Sequence, residues 1–213
     1  MDMILWEDSE FVVIHKPSGL PTTPSPNSVD CVESLFPGTH AVHRLDQRVS
    51  GLVLLAKTTE AMTRATRLFQ DGKVKKTYHA VVNQLPQSAS PLRHWIKQEK
   101  TKARTISFPK EGFQKAELTF AVLASSTRYH VLEICPTTGR FHQIRAQMSA
   151  VGAPIVGDIK YGFKRTTPDG SIFLQASKLQ FPHPTTGEVI DLSLPLPENW
   201  AKYGFTNLHS PEA

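Results

Sequence analysis

An aspartate beside an arginine, at the lip of an apolar strand, is the part of this chain best suited to chemistry. His43-Arg44-Leu45-Asp46 leads through Ser50-Gly51 into Leu52-Val53-Leu54-Leu55-Ala56-Lys57. Burying a carboxylate costs several kcal/mol unless a partner stabilises it. Desolvation alone would raise its pKa, so an Asp placed there needs a cation to stay ionised near neutral pH. Arg145 is the best candidate for that cation and Arg140 the other. A carboxylate kept ionised in this way can attack an electrophilic carbon or stabilise positive charge. Taken singly, each residue has an ordinary explanation. Asp46 could be a turn residue, Arg44 half of a surface ion pair, and Arg145 a helix arginine extending its stem to water. Tyr78 reads as a half-buried sheet tyrosine and His142 as a histidine at a helix start. The combination is what suggests a site.

Other chemistries fit less well. His40 and His43 form an HxxH, but no Cys or acid stands at ligand spacing to complete a metal site. There is no GxGxxG, no Walker A sequence and no GxSxG elbow. Neither Cys31 nor Cys135 has basic or histidine neighbours that would mark a nucleophile. A glycosidase needs two carboxylates flanking the bond, and beside Asp46 only Glu133 and Asp158 offer themselves.

These side chains must be positioned by the surrounding elements. Met3 to Trp6 and Phe11 to His15 read as strands around the turn Asp8-Ser9-Glu10. Val29 to Phe36 reads as a short helix capped by Asn27 or Ser28, after a Pro- and Ser-rich loop. Leu52 to Lys57 reads as a buried strand. Thr58 or Thr59 caps a helix through Phe69, with Glu60 early and Arg67 late, as the helix dipole favours. Strands follow at Lys76 to Val82, Glu117 to Val122 and Tyr129 to Cys135. Phe141, Ile144, Met148 and Val151 then recur at helical steps, with His142 and Arg145 on a neighbouring face. Leu174 to Phe181 and Val189 to Leu194 read as final strands. Short turns between neighbouring strands predict an α+β fold, a mixed and largely antiparallel sheet with packed helices.

The bulk properties suit a globular domain. The chain has 213 residues, 39% of them hydrophobic and 20% charged. That length is enough for a sizeable core without staples. No apolar run approaches the roughly 20 residues that span a bilayer, and the start does not read as a targeting segment. Both cysteines are expected to be reduced thiols in a cytoplasmic protein. The net charge of +5 is uneven. Arg64, Arg67, Lys73, Lys75 and Lys76 form one basic window; Arg93, Lys97, Lys100, Lys102, Arg104 and Lys110 form another. Such windows suit a polyanion, or simply a solvated surface.

Several stretches, in order, resemble one family. His43 to Lys57 is similar to the HRLDxxTSGLLLLAK signature of the RluA family of RNA pseudouridine synthases. Lys76-Thr77-Tyr78-His79-Ala80-Val81-Val82 resembles its KxYxAxV segment, and Thr138 to Arg145 its TGRxHQIR motif. Val151 to Gly162 resembles GxPIxGDxxYG, and Phe11 to Gly19 resembles VxNKPxG. The resemblance implies a single catalytic domain over residues 1–213, without an S4-like RNA-binding segment. It implies isomerisation of uridine in transfer or ribosomal RNA to pseudouridine, with no cofactor and no metal, by a protein expected to be a monomer and to have no membrane partner. Asp46 matches the catalytic aspartate, Tyr78 the active-site tyrosine that stacks on the base, and Arg145 the arginine that pairs with the aspartate. Arg44 matches the residue that enters the RNA stack when the target base leaves it. Arg140, His142 and Ile144 are expected to contact substrate. Val49, His15 and Ala146-Gln147-Met148 depart from the family pattern, the last removing a histidine after Arg145. An RNA-binding protein without turnover, or a glycosidic-bond hydrolase releasing free uracil, are the alternatives.

Overall fold

Alternation of apolar and polar residues, broken by Gly and Pro turns, sets most of the strands. The computed structural model describes residues 3–24 and 30–205. The chain gathers into two compact units, each built from distant parts of the sequence: Met1–Lys76 with Gln175–Leu194, and Thr77–Leu174 with Pro195–Ala213.

In the first unit β1 (Ile4–Glu7) and β2 (Phe11–Lys16) form an antiparallel hairpin. Its turn is closed by Asp8, whose carboxylate accepts from the Glu10 and Phe11 N–H groups at 2.8 and 2.7 Å. β2 pairs antiparallel with β4 (Ser50–Ala56), and so does the short β3 (His40–Ala41). All of Gly51 to Ala56 is buried, which is why that stretch reads as an unbroken apolar run instead of an alternating one. β10 (Leu174–Pro182) runs parallel to the start of β4 and turns back antiparallel into β11 (Val189–Ser193).

Among the described residues, two α-helices serve this unit. α2 (Thr59–Gln70) begins where expected, with Thr58 Oγ1 accepting from the Ala61 N–H at 3.1 Å. It lays Ala61 and Ala65 on a core of Phe11, Val13, Leu52, Leu54, Leu179 and Phe181. α1 (Val32–Leu35) is shorter than the sequence suggested and is capped by Cys31, whose sulfur accepts from the Ser34 N–H. The caps expected at Asn27 or Ser28 lie outside the described residues.

The second unit receives the later part of β5 (Lys75–Val82), which pairs antiparallel with β9 (His130–Pro136). β8 (Gln114–Ser125) lies between β9 and β6 (Leu92–Glu99), and β6 turns into β7 (Lys102–Ile106). The β6–β7 hairpin occupies the second basic window. α3 (Gln143–Ala150) packs on this sheet through a cluster of Ile96, Ala103, Ala116, Ala146 and Tyr161. The fold is the mixed α+β arrangement expected: β4 runs parallel to β10, and the other strand pairs described above are antiparallel.

The helical face read from Phe141 needs correction. Phe141 and His142 precede α3, and His142 sits in the left-handed region at φ 52°. Every residue from Gln143 to Met148 is buried, so α3 has no solvent-facing stripe along that stretch.

Candidate active site

The Asp46 loop is clamped by the segment that follows β2. Lys16 ends that strand fully buried, and its ammonium donates to the carbonyls of Pro17 (2.9 Å), Leu20 (2.7 Å) and Gln47 (3.3 Å). Gly19 N–H donates to the Gln47 carbonyl at 2.7 Å and Ser18 Oγ to that of Arg48 at 2.9 Å. Thr22 Oγ1 accepts from the Leu45 N–H and donates to the Leu45 carbonyl, both at 3.1 Å. Asp46 closes the loop on itself by accepting the Val49 N–H at 3.0 Å. Its side chain is half-buried, while Arg44 is exposed. Burial pulls the Lys16 pKa down to about 8, with the Asp46 carboxylate acting in the opposite sense. Lys16 is therefore a cation electrostatically coupled to Asp46, and the sequence reading did not identify it.

Glycine at position 51 lets the loop pass directly into the sheet. Its φ is +130°, and a Cβ there would lie 2.4 Å from the Ala176 carbonyl oxygen. His43, one half of the HxxH, serves the fold. Its Nε2 accepts the Leu54 N–H at 3.1 Å and its ring lies 4.9 Å from that of Phe69. Burial, assisted by the Lys76 charge, drives its pKa down to about 3, so it stays neutral at physiological pH.

In the second unit Arg145 is almost fully buried. Its Nε donates to Asp158 Oδ2 at 2.7 Å and its Nη2 to Oδ1 at 2.8 Å, a two-point grip on a carboxylate that is itself 0% exposed. The guanidinium carbon stands 5.0 Å from the centre of the Tyr161 ring. Asp158, which the sequence offers only as a weak second acid, fixes the guanidinium plane within this unit.

The loop before α3 is equally constrained. Gln143 Oε1 accepts from Thr138 Oγ1 (2.7 Å) and from the Arg140 N–H (3.0 Å), while its Nε2 donates to the Glu117 carbonyl (3.1 Å). The Tyr161 hydroxyl accepts the Ala103 N–H at 2.6 Å and meets His142 Nδ1 at 3.0 Å. Phe141 stacks on His142 with ring centres 3.8 Å apart. Arg140 is exposed and donates its Nε to the Lys115 carbonyl at 3.1 Å. Ile144 is buried on α3, and Tyr78 is half-buried on β5 opposite Ile134.

Gln147 explains one departure from the family pattern. It is fully buried, and its amide nitrogen lies within 3.3 Å of the Leu92 and Ala116 carbonyls and 3.1 Å from His94 Nδ1. It thus ties α3 to β6 and β8. The first basic window is partly absorbed by the fold. Arg64 pairs with Glu10, and half-buried Lys76, its pKa lowered by burial, lies 5.8 Å from the centre of the Phe69 ring.

The first unit thus holds a clamped aspartate loop, and the second holds a strand tyrosine and a buried arginine gripped by a carboxylate. Residues 10–150 match the RNA pseudouridylate synthase family, and the chain belongs to it. It is 30% identical to the "tRNA pseudouridine synthase C" of Vibrio parahaemolyticus, over 92% of this chain and 91% of that protein. It is 31% identical to the "Uncharacterized RNA pseudouridine synthase YlyB" of Bacillus subtilis, over 95% of this chain and 72% of that protein. Among solved structures, "Human RNA Pseudouridylate Synthase Domain Containing 4" superposes with a TM-score of 0.77 at 25% identity, covering 93% of this chain and 90% of that one.

Proposed function

We propose that this protein is a pseudouridine synthase of the RluA type, isomerising specific uridines in structured transfer or ribosomal RNA by means of Asp46. The observation that carries the reading is the Asp46 loop, half-buried, clamped by the Lys16 to Thr22 segment and set beside a buried ammonium. The relatives support both kinds of RNA: one is named for transfer RNA, and another, 30% identical, is the "Ribosomal large subunit pseudouridine synthase D" of Vibrio cholerae.

In this reading the target nucleotide leaves the RNA stack, at a cost of a few kcal/mol, and Arg44 offsets part of that by filling the gap. Asp46 acts at C1′, as nucleophile or as the charge that stabilises its developing positive character. The N1–C1′ bond breaks, uracil turns over, and C5 bonds to C1′. The C5 proton departs and N1 ends protonated, so the reaction is an isomerisation. Tyr78 stacks on the base and assists loss of the C5 proton. Arg145, held by Asp158, supplies the positive charge that keeps the reacting carboxylate ionised. Arg140, His142 and Ile144 contact the substrate. The protein works without cofactor or metal, as a monomer in the cytoplasm.

The test uses bulk RNA carrying tritium at uridine C5, from cells lacking this gene. The wild-type protein releases tritium, whereas Asp46→Asn binds the RNA but releases none. Turnover by Asp46→Asn would refute the role of Asp46. Binding without tritium release by the wild type would make the chain an RNA-binding protein, and free uracil among the products would make it a hydrolase.

A further inference from the structure

We propose that a cavity in the second unit is a second nucleotide pocket, holding an unpaired RNA nucleotide other than the target uridine. The inference rests on the RNA reading above and adds a separate binding site to it. The cavity is partly open to solvent, has a volume of about 370 Å³ and is lined by Ile96, Lys97, Gln98, Gln114, Arg140 and Phe141, with Gly112 and Gly139 between them. That volume falls at the small end of the roughly 300–1,000 Å³ that ligand pockets occupy.

The lining matches the parts of a nucleotide. Phe141 offers an aromatic surface for a base, a contact that tolerates any base because each has a π-face. Gln98 and Gln114 each carry a donor and an acceptor, which suits a base edge where donors and acceptors mix. Gln98 is already tethered, its Nε2 donating to the Lys100 carbonyl at 3.4 Å. Lys97 and Arg140 supply cations for a phosphate. Arg140 uses its Nε on the Lys115 carbonyl, so its outer guanidinium nitrogens are the ones suited to phosphate oxygens.

Two further observations favour RNA over a small anion. Residues 93–117 contain seven of the Lys and Arg residues against three Glu, four of the five net positive charges of the whole chain. A phosphate ion would need the cations alone; two amides and a ring are superfluous for it. Arg140 and Phe141 also belong to the same loop that leads into α3 and Arg145. A nucleotide held here would be recognised by the segment that carries the proposed catalytic arginine.

The experiment measures binding of a fluorescein-labelled hairpin RNA with an unpaired loop. Gln98→Leu with Gln114→Leu removes both amides without changing charge, at exposed positions. Loss of two hydrogen bonds weakens binding about five- to tenfold, with the salt dependence unchanged. Lys97→Ala weakens binding and lowers the salt slope by about one. Excess uridine 5′-monophosphate competes with the RNA, and inorganic phosphate at the same concentration does not. Wild-type affinity in the Gln double variant would overturn the proposal, as would competition by phosphate equal to that of the mononucleotide. Mononucleotide binding that the Gln double variant loses while its RNA affinity stays intact would assign the cavity to a free nucleotide and overturn the RNA assignment. Because the readout is binding, a wild-type protein that releases no tritium would refute the catalytic reading and leave this one decided separately.

Discussion

Replacing Asp158 by asparagine leaves the size of the side chain and removes its charge. In the native protein that carboxylate is 0% exposed and takes two hydrogen bonds from Arg145, at 2.7 and 2.8 Å. The variant leaves a guanidinium buried beside a neutral amide. Breaking a buried pair by removing one partner costs about 3–5 kcal/mol. For a chain of 213 residues, each kcal/mol lowers the melting temperature by roughly 2–4 °C. Asp158→Asn should therefore melt about 6–20 °C below the wild type, as followed by circular dichroism or calorimetry. Turnover in the tritium assay should fall as well, because Arg145 loses the grip that orients it. A second variant separates these effects. Replacing the pair together, Arg145→Met with Asp158→Leu, puts apolar side chains where the ions were, a change that is often neutral or stabilising. It should recover most of the lost melting temperature and none of the turnover. An Asp158→Asn protein melting within 2 °C of wild type would show that the pair is not desolvated, and the positioning argument for Arg145 would fail with it.

Two other outcomes are expected. The folded state binds the Lys16 proton with a pKa of about 8, against 10.5 for an unperturbed lysine. Between those values the unfolded chain holds more protons, so this group's contribution to stability is fully present above pH 10.5 and is lost as pH falls to about 8. The difference in urea unfolding free energy between wild type and Lys16→Met should rise by about 1.4 kcal/mol per pH unit across that window; a flat difference would contradict the burial of the ammonium. Gly51→Ala meets the Ala176 backbone at φ +130° and should lose about 2–4 kcal/mol in thermal denaturation. Gly38→Ala, at φ +82° with nothing within 4 Å, should lose only about 1–2 kcal/mol, and equal losses would mean that the β4 and β10 backbones do not approach so closely.

The elements with a clear period were legible in the sequence. α2 begins and ends within a residue or two of its expected bounds, because its cap and its dipole-matched charges act locally. β8 and β9 appear as the partners their alternation suggested. The β6–β7 hairpin was read only as a run of positive charge. Its alternation is present, with Leu92 and Ile96 inward and Arg93 and Lys97 outward, yet lysines on one face look the same in a strand as in a loop. The helical reading at Phe141 failed for a different reason. The repeat of apolar residues runs on without a break through Phe141 and His142, but Gln143 binds Thr138 and the Arg140 N–H. That side-chain contact holds the preceding loop in place, and helical spacing carries no sign of it.

The polar partners inside the candidate site were the least legible part, although the signals existed. Spacing shows which residues share an element, whereas a buried charge selects its partner across the fold. Arg145 and Asp158 stand 13 residues apart, on a helix and on the turn beyond it, and no periodicity links them. The informative clue was Asp158 itself, an acid at the N-cap position of the short 3-10 helix Ile159–Tyr161 whose side chain makes no cap hydrogen bond. Lys16 offered a stronger clue. β2 is buried along both faces from Phe11 to Ile14, so it has no solvent side toward which a lysine at its end could point. A lysine there must satisfy its ammonium on the nearest backbone carbonyls. Those belong to Pro17, Leu20 and Gln47, and Gln47 directly follows the aspartate. An ionisable residue at the end of a doubly buried strand therefore identifies both itself and the loop it holds.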